Sequence, residues 1–199
     1  LGFYALAVRI ADLPLMLPTS VILPALPAIF SMKPGDWKEY GSIVIKTVLY
    51  CMFFVCSFIF ISGHFFVPVF YGKEFAQTVI PLNLLLPGIF FSSIYRFFRS
   101  YLFSQNKIIQ ISIVAGIAFA VNVVINVIYI PIFGIAAAAV SSSICYTIAT
   151  LGAMNIYCRY TNTRWQDLLF YSKDEMSQLS SGFINSMKNL KLKILKKMD

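Results

Sequence analysis

The sequence predicts an all-α membrane protein, with five transmembrane helices followed by a cytosolic amphipathic tail helix. Three observations carry that fold class. Residues 108–158 hold no Asp, Glu, Lys, Arg or His over 51 consecutive positions, well beyond the roughly 20 apolar residues that one helix needs to cross a bilayer core. Near its middle the run is interrupted by Pro131-Ile132-Phe133-Gly134, a turn signal that divides it into a hairpin of two spans. Across the chain 59% of residues are hydrophobic and 12% charged, with a mean hydropathy of +0.78, against about 25% charged in a soluble domain.

Taken in order, the apolar segments are 2–30, 42–70, 78–103, 108–130 and 134–158, each long enough to cross a bilayer. Residues 1–160 form a transmembrane lobe and 161–199 a basic cytosolic tail. The first segment carries Pro14, Pro18, Pro24 and Pro27, which remove helix hydrogen bonds and predict a bent axis. In the tail, Met176, Leu179, Phe183, Met187, Leu190, Ile194 and Met198 recur at steps of three or four, with lysines interleaved. That pattern fits an amphipathic helix on an anionic leaflet or a solvated terminus.

An odd number of spans places the termini on opposite sides, and Lys and Arg are retained on the cytoplasmic side. With the C-terminus in the cytoplasm, fourteen of the sixteen basic residues sort to that side, leaving only Arg9 and Lys73 opposite. The formal charge of +8 is therefore mainly a topology signal. Nucleic acid is not an expected partner, since no soluble basic domain could carry it. Four cysteines (Cys51, Cys56, Cys145, Cys158) lie in or beside apolar runs without metal-ligand spacing, so they are expected to be buried thiols, with no metal or cofactor. The chain begins Leu1-Gly2-Phe3-Tyr4, without Met or a basic signal region, and is expected to be a piece lacking an N-terminal part.

Polar residues inside apolar spans are the functional candidates, because each is costly there. Arg9 and Asp12, three residues apart, share one face of the first span; they mark a substrate or ion site, or an arginine that snorkels outward beside a local partner. Arg96 and Arg99 repeat the spacing toward the cytoplasmic end of the third span, within reach of the phosphates of a lipid substrate or of the surrounding bilayer. Asn122 and Asn126 form a polar face in the fourth span, suited to interhelical hydrogen bonds, and Asn122 is also a candidate substrate contact. The run from Ala136 to Ser143 has small side chains that favour close helix packing. His64 is expected at the membrane interface. There is no nucleophile elbow, P-loop or HExxH motif, which favours transport over catalysis.

Several stretches resemble, in order and spacing, the signatures of one family. They are Leu1 to Asp12, Leu17-Pro18-Thr19-Ser20 with Pro27, Phe70 to Phe75, Leu84 to Phe91, Asn122 to Asn126, Ile130 to Ala138, and Trp165 to Leu169 with Lys173-Asp174. The chain resembles the bacterial polysaccharide flippases, the O-antigen and capsule repeat-unit exporters of the multidrug/oligosaccharidyl-lipid/polysaccharide superfamily. The resemblance implies five helices from the C-terminal lobe of a transporter of twelve or more helices. It also implies a bacterial inner-membrane location, and export by alternating access of an oligosaccharide linked to polyprenyl diphosphate. Arg9 would contact the diphosphate, and Asp12 would be the acid coupled to a proton or sodium ion, although many relatives carry Glu there. Arg96 stands where relatives carry small or apolar residues. The alternatives are a multidrug or lipid II exporter of the same superfamily, or a membrane polysaccharide polymerase or ligase.

Overall fold

The structure, a computed structural model, describes residues 2–31 and 36–168, and among these no strand occurs. The helices are α1 (Gly2–Asp12), α2 (Met16–Ser31), α3 (Asp36–Tyr71), α4 (Val79–Ser104), α5 (Ile108–Phe133) and α6 (Ile135–Thr161). Short 3-10 turns occupy Leu13–Leu15, Lys73–Thr78 and Trp165–Leu168. Five segments, Gly2–Pro24, Gly41–Tyr71, Lys73–Ser104, Ile108–Phe133 and Ile135–Thr161, are long and apolar enough to cross a membrane. The chain is an all-α, multi-pass membrane protein.

The element boundaries differ from the sequence expectation where proline and glycine act. The first span is two helices, because Pro14 has no N–H for the carbonyl four residues back and the chain tightens into a 3-10 turn there. Pro24 and Pro27 lie inside α2 without ending it. Pro131 likewise stays within α5, where it forfeits one hydrogen bond in the last turn. The hairpin reverses at Gly134 alone, with φ 60° and ψ −135°, a backbone region open to glycine. Its N–H donates to the Ile130 carbonyl at 2.8 Å.

At the other end of the hairpin, α6 stops at Asn162 in a left-handed conformation. The following turn folds back instead of leaving the bundle. Leu168 is buried within the core, and the Ser42 hydroxyl of α3 donates to the Asp167 carbonyl at 3.3 Å. The tail helix expected over Met176 to Met198 lies outside the described residues.

The α1–α2 pair, α4 and α6 run in one direction, and α3 and α5 return. Leu84 and Phe91 of α4 meet Ser143 and Thr150 of α6 in parallel order, whereas Val114 and Asn122 of α5 meet Gly152 and Ser141 in antiparallel order. Helix α4 is the centre, touching α1, α2, α3 and α6. By contrast, α5 buries only Ile111 and Ala118, and its exposed Ile, Val and Phe side chains suit lipid tails. Two apolar clusters fill the interior. One joins Ala7 and Ala11 to Met52, Leu82, Leu85 and Ala139; the other stacks Phe97, Phe98 and Tyr101 around Tyr157, with ring centroids 5.0 to 6.4 Å from it.

The α4–α6 seam depends on small side chains. A Cβ at Gly88 would lie 2.6 Å from the Ser143 Cα, so the two backbones are as close as glycine permits. Pro87 removes the donor that the Asn83 carbonyl would use and loosens that turn. At the same turn the Ser143 hydroxyl donates to the Leu84 carbonyl at 2.6 Å. One helical stretch further, the Thr150 hydroxyl lies 2.8 Å from the Phe91 carbonyl and 2.7 Å from that of Tyr146. Gly88→Val is expected to force the helices apart and to lower the thermal midpoint, at about the 1–3 kcal/mol typical of overpacking. Gly116→Ala, where a Cβ meets nothing within 4 Å, should leave that midpoint unchanged in the same thermal-unfolding assay.

Candidate functional site

Polar side chains of α1, α4 and α6 come close to one another partway through the bundle. Ala7 and Ala11 pack α1 into the core, so Arg9 and Asp12 project from other faces of that helix, and both are exposed. They form no hydrogen bond or ion pair with each other, although they share a side of the helix. Asp12 lies ten residues into α1, roughly 15 Å from its start at 1.5 Å per residue. On α4, Arg96 is eight residues from the helix end, roughly 12 Å inward. In a core about 30 Å thick these positions are well inside the apolar slab.

Tyr146 of α6 joins them. Its side chain is close enough to Asp12 and Tyr4 of α1, and to Arg96 of α4, for their charges to act on its hydroxyl. Tyr95 stands in the same relation to Arg99 and to Cys145. Asp12, Tyr4, Arg96 and Tyr146 therefore form one electrostatic group drawn from three helices, and Tyr95 with Arg99 adjoins it through Cys145. Arg96 is half-buried, and its Nε is fully enclosed without a hydrogen-bond partner. An enclosed donor left unmatched costs free energy. Arg99 is exposed and lies over the Phe103 ring, 5.7 Å from its centroid, a cation–π contact that steadies it.

The sequence-predicted candidates thus divide. Asp12 and Arg96 act on Tyr146, and Arg99 acts on the neighbouring Tyr95. Arg9 sits in the last turn of α1 on an exposed face, outside the group acting on Tyr146. Asn122 of α5 meets α6 elsewhere, in a packing network: its amide donates to the Ser141 hydroxyl at 3.3 Å and accepts from the Asn126 amide at 3.0 Å. The Ser141 hydroxyl in turn donates to the Asn126 carbonyl oxygen. This ring of three polar side chains clamps α5 to α6, supported by Gly152, where a Cβ would strike Val114 at 2.5 Å.

Tyr4, Tyr95 and Tyr146 were not singled out from the sequence. Tyr95 stands directly before Arg96, and Tyr146 follows the serine run by a short step; that adjacency was the available signal. His64 is exposed on α3. The four cysteines are free thiols. Among the described residues no three His, Cys, Asp or Glu side chains gather as metal ligands would.

Comparisons with protein families, with characterised proteins and with solved structures find no match to this chain. Its class rests on the fold itself, that of a multi-pass helical membrane protein with charged side chains inside the span. Asn122→Ala should act on packing, since an interhelical hydrogen bond in a membrane contributes around 0.6 kcal/mol on average. The expected result is a small fall in thermal midpoint, matched by Ser141→Ala, with no additional loss in the double variant.

Proposed function

We propose that these five helices belong to the C-terminal lobe of a bacterial polysaccharide flippase. Its substrate would be an oligosaccharide repeat unit linked to polyprenyl diphosphate. The observation that carries this reading is the polar group inside the span. Asp12, Tyr4, Arg96 and Tyr146 come close to one another from α1, α4 and α6, with Arg99 and Tyr95 adjoining, inside an otherwise apolar slab. A diphosphate entering such a region needs cations, because an unpaired anion there would be prohibitive. Arg96 and Arg99 supply them, and arginine's planar fork suits phosphate oxygens. The tyrosine hydroxyls offer donors and acceptors to the glycan, while the lipid tail remains among the apolar side chains outside.

In the alternating-access scheme, two lobes rock around such a midplane site. Asp12, in electrostatic contact with the same tyrosine as Arg96, would let a bound proton or sodium ion alter the cation field that the diphosphate meets. The resemblance of residues 1–12, 84–91, 122–126 and 130–138 to the flippase signatures supports the same reading. An inner-membrane orientation with α6 ending in the cytoplasm is supported by the charges: Arg99, Lys107, Arg159 and Arg164 lie toward one end of the bundle and Lys73 at the other. The positive-inside bias follows that asymmetry.

The test is complementation of a strain lacking the intact transporter, scored by surface glycan and by lipid-linked repeat units retained on the inner leaflet. Arg96→Ala is expected to cut export about tenfold or more, the equivalent of one charge-assisted hydrogen bond. Arg9→Ala should reduce it less, because Arg9 stands outside the Tyr146 cluster. Full surface glycan with Arg96→Ala and Arg99→Ala combined, at equal protein level, would remove the assignment. In the same strain Tyr146→Phe is expected to lower export while leaving thermal stability unchanged, since the ring remains and only the hydroxyl is lost.

A further inference from the structure

A second cationic group lies away from the one around Tyr146, at the end of the bundle where α4 turns into α5 and α6 finishes. The Tyr160 hydroxyl near the end of α6 donates to the Gln105 side-chain oxygen in the α4–α5 turn at 3.1 Å. The Lys107 ammonium lies over the Tyr160 ring, 5.1 Å from its centroid. Two separate chain reversals are thereby tied into one rim, each passing through a left-handed asparagine, Asn106 and Asn162. Arg159, next to Tyr160 in the last turn of α6, and Arg164, four residues beyond it, are exposed. Residues 103–107 and 157–168 carry Lys107, Arg159 and Arg164 against the single carboxylate of Asp167.

Directly beneath these cations the surface becomes apolar. Ile108 and Ile109, at the start of α5, are 50% and 77% exposed, and Phe103 is exposed on the last turn of α4. Trp165 and Tyr160, 55% and 41% exposed, stand at the same end of the bundle, and aromatic side chains of this kind prefer the boundary between headgroups and acyl chains. This end thus offers cations, amphipathic rings and hydrocarbon side chains within the short stretches 103–109 and 159–165. A free anion would match only the first of these. A lipid with a negative headgroup matches all three.

We propose that this rim is a binding site for an anionic phospholipid. Lys107, Arg159 and Arg164 hold the headgroup phosphate, and Tyr160 and Trp165 border its glycerol region. The acyl chains lie along Phe103, Ile108 and Ile109. The Gln105–Tyr160 hydrogen bond and the Lys107–Tyr160 contact position the site before the lipid arrives, which lowers the ordering cost of binding. A uniform attraction to a charged surface would need no such tie between α4–α5 and α6. The site is independent of any cargo at the Tyr146 group, so it stands or falls separately from the flippase reading.

The experiment is native mass spectrometry of the intact purified protein, titrated with phosphatidylglycerol or phosphatidylcholine, with unfolding midpoints measured in parallel. The wild type is expected to retain phosphatidylglycerol preferentially. Lys107→Gln, Arg159→Gln and Arg164→Gln should each lower that preference roughly fivefold, the factor equivalent to one cation at an anionic surface. Lys73→Gln, at the far end, should leave it intact. Arg159→Lys with Arg164→Lys should preserve most of it, which separates charge from folding. Because the Tyr160 ring remains, Tyr160→Phe keeps the fold but frees Gln105, and should weaken phosphatidylglycerol retention less than loss of a cation does. Equal retention of both lipids by the wild type would overturn the proposal, as would an unchanged preference in the folded triple glutamine variant. Displacement of phosphatidylglycerol by millimolar inorganic phosphate would overturn it in favour of a free-phosphate site.

Discussion

The contact between α4 and α6 is the constraint on which the other helices depend. In hydrocarbon there is no gain in hiding apolar surface from water, so helices hold together by close packing and by hydrogen bonds that cross between them. Gly88 against Ser143 supplies the first, and the hydroxyls of Ser143 and Thr150 on the carbonyls of Leu84 and Phe91 supply the second. Every other span attaches to one member of this pair. Helices α1, α2 and α3 pack on α4, and α5 packs mainly on α6. Since Arg96 is on α4 and Tyr146 on α6, the seam that holds the bundle also fixes two sides of the polar group.

That arrangement explains why such a costly group of residues can exist within the span. A charge at the centre of a bilayer costs about 2.5 kcal/mol or more when it meets lipid. Here the cost is limited by company: Arg96 is half-buried against protein, and its charge is felt by Tyr146 together with that of Asp12. Opposite charges sharing one neighbourhood offset part of each other's penalty. Other polar groups in the span are treated differently. Asn122, Asn126 and Ser141 hydrogen-bond among themselves between α5 and α6.

Much of the fold was legible in the residue order because the bilayer imposes a length and an apolarity that composition reveals directly. The uncharged stretch from Ile108 to Cys158 resolves into α5 and α6 as expected, with Gly134 as the turn. What residue order could not reveal was the effect of context on proline. Pro14 breaks the first span while Pro24, Pro27 and Pro131 are accommodated, and burial is not what spares them, since Pro14 is buried and the other three are exposed. The polar group was partly legible. Arg96, Arg99 and Asp12 stood out as charges within apolar runs, but Tyr146 did not, since its importance comes from two other helices and leaves no periodic mark. The burial of Lys46, 2% exposed, and the return of Leu168 into the core were hidden for the same reason.

The parallel course of α4 and α6, with α1–α2 alongside, has an electrostatic consequence. Each helix carries partial negative charge at its C-terminal end, and in a two-way bundle these ends largely cancel. Here α4 and α6 bring their C-terminal ends to the rim at which α3 and α5 begin, so negative and positive helix ends alternate there. Arg159 lies in the last turn of α6, where a cation is stabilised, whereas Lys107 is the N-cap of α5 and meets a positive end. The ring of Tyr160, and not the helix ends, is therefore what steadies the Lys107 charge.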